Sequence, residues 1–225
     1  MAAPAQDGVG NVRTVGYLEA APPERLVSAY KPQAGDIILY DDFNRFHHIV
    51  YKLAGTSAPT HVAMVIAKED GSPTLLELTG PTVAFAKVSI VDVEHRFTSF
   101  GGVILVRRLK SPLGAEQSRN LREFAYAQQG KRFALLRVVA QATPFCPRHG
   151  LRHELFARTD LNRHRWFCSE LVVAGCTTAG LLDQKICCAN CTYPRDLAFD
   201  ETIDLSPIYH PATLWRPDRQ FTPAP

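Results

Sequence analysis

An α+β fold, with a sheet built first and helices after it, is what this 225-residue chain predicts. Three observations carry the prediction. Short apolar runs crowd the first half, among them Asp36-Ile37-Ile38-Leu39-Tyr40 and His61 to Ala67. Two such runs flank Glu69-Asp70-Gly71-Ser72-Pro73, whose Asp-Gly chemistry is that of a hairpin turn. After Ser111-Pro112-Leu113-Gly114 the apolar spacing changes to three and four residues.

The elements follow in order. Residues 1–20 are rich in Ala, Gly and Pro without periodicity and are expected to form a flexible N-terminal arm. A single domain is expected over 21–215, with 216–225 as a C-terminal tail. Pro22 to Tyr30 can open a short helix, since Pro is tolerated in a first turn. Lys31 to Gly35 reads as a turn, and Asp36 to Tyr40 as a buried strand. Asp41 to Leu53 is helix-like, with Phe43, Phe46, Ile49, Val50 and Leu53 on one face. His61 to Ala67 and Thr74 to Leu78 form the hairpin. Thr82 to Val93 and Val103 to Leu109 supply two more strands. Ala115 to Gln129 is a helix with Leu121, Phe124 and Ala125 inward, ended by Gly130. Phe133 to Ala142 is a second helical stretch, and Thr143 to Arg165 is irregular. Cys168 to Ala179 is a helix stopped by Gly180. From Cys187 on the chain is turn-rich.

Composition excludes several functions. Hydrophobic content is 46% and charged content 21%, ordinary for a globular protein. The net charge of +3 is scattered, with no basic stripe for nucleic acid. No apolar run is long enough to span a bilayer. Met1 to Gly8 has no basic-then-apolar export signal. Six cysteines, Cys146, Cys168, Cys176, Cys187, Cys188 and Cys191, cluster at one end, unlike a disulfide framework. Reduced thiols and a cytoplasmic location are the expectation, with export after removal of a signal as the alternative. Nothing in composition speaks to the oligomeric state.

The chemistry concentrates in Arg165-Trp166-Phe167-Cys168-Ser169-Glu170-Leu171-Val172. Cys168 falls at a helix N-terminus, where unpaired N–H groups and the helix dipole favour a thiolate. His61 opens a strand, and Glu77 lies in its hairpin partner. His61, Ala63 and Val65 share one face, which puts Glu77 within cross-strand reach of His61 if it faces the same way. A cysteine, a histidine and a carboxylate are the parts of an activated thiol nucleophile with its base and orienting group.

Taken in order, Gly35-Asp36-Ile37-Ile38-Leu39, Thr60-His61-Val62-Ala63-Met64-Val65, Glu77 and Phe167-Cys168-Ser169-Glu170-Leu171-Val172 resemble the circularly permuted NlpC-type papain-like hydrolases, a group that includes the YiiX-like proteins. The resemblance covers roughly Gly35 to Leu182 and continues weakly in Tyr193-Pro194-Arg195-Asp196-Leu197. It implies a permuted papain-like fold, an antiparallel sheet packed on helices. It implies Cys168 as nucleophile, His61 as base, Glu77 as orienter, the Cys168 N–H as one oxyanion donor, and a structural role for Asp36. It implies amide hydrolysis without a cofactor or metal, chiefly in cell-wall-type peptides; relatives of the same fold act on lipid esters and amides. The segment Thr143 to Arg165 is longer and more basic than the family pattern, which a cap over the site or a changed substrate pocket would explain, and this departure bears on substrate class more than on chemistry.

Each feature has a plainer reading. Cys176 lies in an apolar helical run and reads as core. His47 and His48 are adjacent, without metal-ligand spacing. Cys146 and His149 with Cys188 and Cys191 fit a structural zinc site, a disulfide or free thiols. The basic run Arg148, Arg152, His153, Arg158, Arg163, His164 and Arg165 is a solvated face or an attractor for an anionic substrate. The competing functions are a cysteine amidase or peptidase, a lipid-directed thioesterase, deacylase or acyltransferase, a non-catalytic binding module, and a zinc-dependent interaction domain. A wide apolar groove beside Cys168 favours the lipid, and a narrow polar one the peptide.

Overall fold

The computed structural model describes residues 30–135, 161, 163–184, 189 and 192–215. Their centre is an eight-stranded sheet in the order β7-β6-β4-β3-β2-β1-β5-β8. The strands are β1 (Ile37–Asp41), β2 (His61–Ala67), β3 (Pro73–Thr79), β4 (Lys87–Val91), β5 (Val103–Arg107), β6 (Arg132–Phe133), β7 (Arg165–Trp166) and β8 (Thr213–Trp215). The helices are α1 (Arg45–Leu53), α2 (Val93–Ser99), α3 (Ala115–Gln128), α4 (Cys168–Thr178) and α5 (Pro194–Phe199). This is the expected α+β class.

The inner strands are apolar on consecutive residues because both sheet faces are covered. On one face Ile37, Leu39, Val62, Met64, Ile66 and Leu76 pack against α3 and α4. On the other, Ile38, Tyr40, Ala63, Val65 and Leu75 pack against Val93 and Phe97 of α2. Helix α4 sits directly on β2: a Cβ added at Gly175 would lie 3.2 Å from both Leu121 Cδ1 and Met64 Sδ. The hairpin turns at Gly71 (φ +82°), with Asp70 accepting from the Ser72 N–H at 2.9 Å.

The Gly35-Asp36 turn is structural, as expected. Gly35 has φ +95°, and a Cβ there would run into Leu109 Cδ1. Asp36 is wholly buried and accepts from Tyr30 Oη (2.9 Å), Gln33 N (3.2 Å) and Leu109 N (3.0 Å). Behind it, Arg107 donates to the Leu197 carbonyl (2.9 Å) and to Asp200 (2.7 Å), tying α5 to β5.

Several expectations are corrected. The sheet is not purely antiparallel: β6 and β7 pair in parallel, Arg132 with Arg165 and Phe133 with Trp166. The long connection between them permits this, since parallel neighbours need a crossover. Phe133 therefore belongs to a strand rather than a helix. Val93, placed at the end of a strand by sequence, opens α2, and Asp92 caps that helix by accepting from the His95 N–H at 2.8 Å. Asp41 belongs to β1, and the apolar face read for α1 is not core: Phe43, Ile49 and Leu53 are exposed. The tail is not only turns, since α5 and β8 lie there. Cys176 is core as expected, 3.5 Å from the Tyr209 hydroxyl. The arm, the helix from Pro22, the stretch beyond Leu135, and Cys146, His149, Cys187, Cys188 and Cys191 lie outside the described residues. No helix among the described residues is long and apolar enough to cross a membrane.

Candidate active site

Strand β2 begins at His61, and its neighbour β1 sets Tyr40 opposite, ring centres 5.7 Å apart. The β2–β3 register pairs Met64 with Leu76, so Glu77 falls beside Ala63, diagonal to His61 and on the same face. The contact is made: His61 Nε2 lies 2.9 Å from Glu77 Oε1. Glu77 is wholly buried, while His61 keeps a quarter of its side chain accessible.

Cys168 is the first residue of α4, and the N–H groups of that turn have no intrahelical acceptor. The turn is held by Glu170, wholly buried, which accepts from the Phe167 N–H (3.3 Å) and pairs with Arg163 Nε (2.7 Å). Ser169 donates to the Thr192 carbonyl at 2.6 Å, anchoring the helix start to the segment before α5. The thiol of Cys168 lies within hydrogen-bonding reach of the His61 ring. With Nε2 committed to Glu77, the nitrogen left for sulfur is Nδ1.

The three side chains singled out by sequence thus meet from β2, β3 and α4. Their charges interlock. Burial opposes a charged His61, but hydrogen bonds and charge from Cys168 and Glu77 outweigh it, and the ring is pushed up to about 10. Burial likewise opposes the Glu77 carboxylate, yet His61 and Arg96 hold it below the usual carboxylate range.

Two further residues belong to the cluster. Arg96 of α2 grips Glu77 with Nε (3.0 and 3.1 Å) and Nη2 (2.7 Å). Tyr51 of α1 donates to the Thr60 carbonyl at 2.6 Å and lies within hydrogen-bonding reach of Cys168. Burial and the adjacent sulfur push the Tyr51 hydroxyl well up. Sequence reading passed over both. The capping pattern Asp92-Val93-Glu94 was the available signal for α2; Tyr51 had none, being one aromatic among several in α1. His48 pairs with buried Asp41 (2.8 Å) and His47 with Asp42 (3.3 Å).

Cys168 lies where two hollows meet. A cavity of about 470 Å³ runs from Cys168 and His61 between Leu78, Val83, Phe100, Phe133 and Leu135, with Asp42, His47 and Arg96 as its charged or titratable wall. A smaller hollow of about 40 Å³ opens between Tyr51, Phe167 and Tyr193. Among the described residues no group of three or more His, Cys, Asp or Glu is arranged to hold a metal ion.

No protein-family model matches the chain. No curated protein matches it. Among solved structures it is similar to the crystal structure of the metalloprotein YiiX from Escherichia coli O157:H7 (DUF1105), with 21% sequence identity, a TM-score of 0.43 and 67% of each chain covered.

Proposed function

We propose that the chain is a cysteine-dependent hydrolase that cleaves an amide bond, with Cys168 as nucleophile, His61 as acid and base, and Glu77 as the group that orients the imidazole. The unit that carries this activity is taken as residues 21–215, of permuted papain-like NlpC type. The supporting observation is a single ring held between two partners: Glu77 Oε1 at 2.9 Å on Nε2, and the Cys168 thiol at its other side.

The steps follow from that arrangement. The Cys168 thiolate adds to the substrate carbonyl carbon, and the carbonyl π pair moves onto oxygen. The Cys168 N–H, at the positive end of α4, donates to the new oxyanion. As the C–N bond breaks, His61 Nδ1–H gives its proton to the leaving amine. Water then adds to the thioester, its proton passes to Nδ1, and the thiolate departs from the carboxylic acid product. A ring pushed up to about 10 is protonated at neutral pH, as an amine leaving group requires.

The cavity favours one class of acyl group. About 470 Å³ with walls of Leu78, Val83, Phe100 and Phe133 suits an apolar acyl chain, as in a lipid amide or ester, better than a polar cell-wall peptide. The test is hydrolysis of N-acyl amides and thioesters against a matched set of peptides by the full chain. Turnover lost in Cys168→Ala supports the nucleophile, and turnover that persists in that variant removes it.

A further inference from the structure

Glu77 presents a physical problem. It is wholly buried, and an ionised carboxylate in that setting is unstable unless its charge is matched and its oxygens are bonded. His61 supplies one bond. Arg96 supplies the rest, its Nε and Nη2 forming a fork on the carboxylate at 2.7 to 3.1 Å. The arginine is itself fixed. Its guanidinium lies 4.9 Å from the Tyr40 ring centre and 5.0 Å from that of Phe100. Helix α2 is capped by Asp92 and buries Val93 and Phe97 against the sheet. Arg96 therefore reaches Glu77 from the layer opposite the one that delivers Cys168.

Resting on the hydrolase reading above, we infer that Arg96 is a positioning residue of this site: it fixes Glu77 on His61 and makes the thiolate–imidazolium pair part of an electrically balanced cluster. Arg96 and protonated His61 carry two positive charges, and Glu77 and the Cys168 thiolate two negative ones. Removing Arg96 leaves one net negative charge, so the site holds its protons more tightly and the thiolate forms at higher pH. Removing the Glu77 charge does the reverse. The other titratable groups around this cluster are Tyr40 from β1, Tyr51 from α1 and Tyr193 just before α5, with Asp42 and His47 on the cavity wall and the Glu170–Arg163 pair at the start of α4. Tyr40 and Tyr51, both raised by burial, are neutral over the range concerned, and the remaining groups are the same in every variant compared.

The test is the rate of Cys168 alkylation by iodoacetamide against pH, read by peptide mass spectrometry on the full chain. In Arg96→Met, which keeps a long side chain over the rings, the midpoint of the rise is expected to move up by about one pH unit. Arg96→Lys keeps the charge and holds the midpoint near the wild type, while hydrolysis slows because the fork is gone. Glu77→Gln moves the midpoint down, and adding Arg96→Met to it brings the midpoint back up. That last comparison reads the arginine charge even if Arg96→Met alone does not fold. A midpoint indifferent to Arg96→Met in both backgrounds, or one that Lys moves as far as Met, overturns the inference and leaves the hydrolase reading standing. Slow, uniform labelling of Cys168 in the wild type overturns both.

Discussion

Replacing Glu77 by glutamine changes one oxygen for an amide nitrogen, keeps the shape and removes the charge. Two magnitudes follow. The first is stability. Breaking a buried ion pair by deleting one partner costs about 3–5 kcal/mol when both are enclosed. Glu77 is enclosed, but Arg96 keeps a quarter of its side chain in solvent, which relieves part of the cost. A loss of about 2–3 kcal/mol is expected, or roughly 5–10 °C in Tm for a chain of this size. The second is the imidazole. The rise of His61 from 6.5 to about 10 corresponds to about 5 kcal/mol between its two protonation states, which Cys168 and Glu77 supply jointly on top of the burial they overcome. Taking away the Glu77 charge removes one of these two partners and brings the His61 titration down. The assay is NMR titration of the labelled His61 ring, with thermal unfolding followed in parallel. A ring that still titrates near 10 in Glu77→Gln would refute the assignment of Glu77 as its partner, whatever the loss in Tm.

Other outcomes follow from the same structure. Cys168→Ala is expected to abolish hydrolysis, with the unfolding midpoint within about 1–2 kcal/mol of wild type because a small buried group is exchanged for another, as measured by urea unfolding. Along a series of N-acyl amides with one leaving group, each added methylene is expected to raise kcat/KM about fourfold until the cavity is filled, from about 0.8 kcal/mol per buried methylene; a flat series argues for a peptide substrate. The His61 share of stability is in full below 6.5 and is lost as pH rises through about 10, because its folded value is raised. The Glu77 share is in full above the ordinary carboxylate value and is lost as pH falls through its lowered one. Urea midpoints compared between wild type and His61→Ala should therefore converge above about pH 10. Gly102→Ala is expected to destabilise by about 1–3 kcal/mol, since its Cβ would run into the Asp41 carbonyl oxygen, and to leave Cys168 alkylation unchanged.

Much of this architecture was legible in the chain. Strand β1 and the β2–β3 hairpin stand out because both faces are buried and the turn carries Asp-Gly. Helix α4 is bracketed by aromatic residues and by Gly180, which takes φ +69°. Cys168, His61 and Glu77 could be singled out because Cys168 opens an apolar helical run, His61 and Glu77 lie in paired strands, and their order resembles that of a known hydrolase family. Arg96 could not. Helix α2 is short and buries only Val93 and Phe97, one contact per turn, so its period is too brief to compete with the strand-like run before it. The apolar stripe of α1 misled for another reason: Ile49 and Leu53 are exposed, and the helix turns Tyr51 inward, where its hydroxyl donates to the Thr60 carbonyl beside Cys168. The direction a short helix faces is settled by what it packs on. Strands β6 and β7 have two residues each, below any alternation that sequence can reveal.

The seat of Gly175 on Met64 and Leu121 has a consequence for how the protein is made. Synthesis proceeds from the N-terminus, so the hairpin bearing imidazole and carboxylate leaves the ribosome well before the helix bearing sulfur. Until α4 settles on β2, the emerging polypeptide carries an ordinary thiol, no sharper towards an electrophile than that of any free cysteine. On the hydrolase reading proposed above, reactivity is switched on by completion of the molecule, and a truncated or half-made product stays inert.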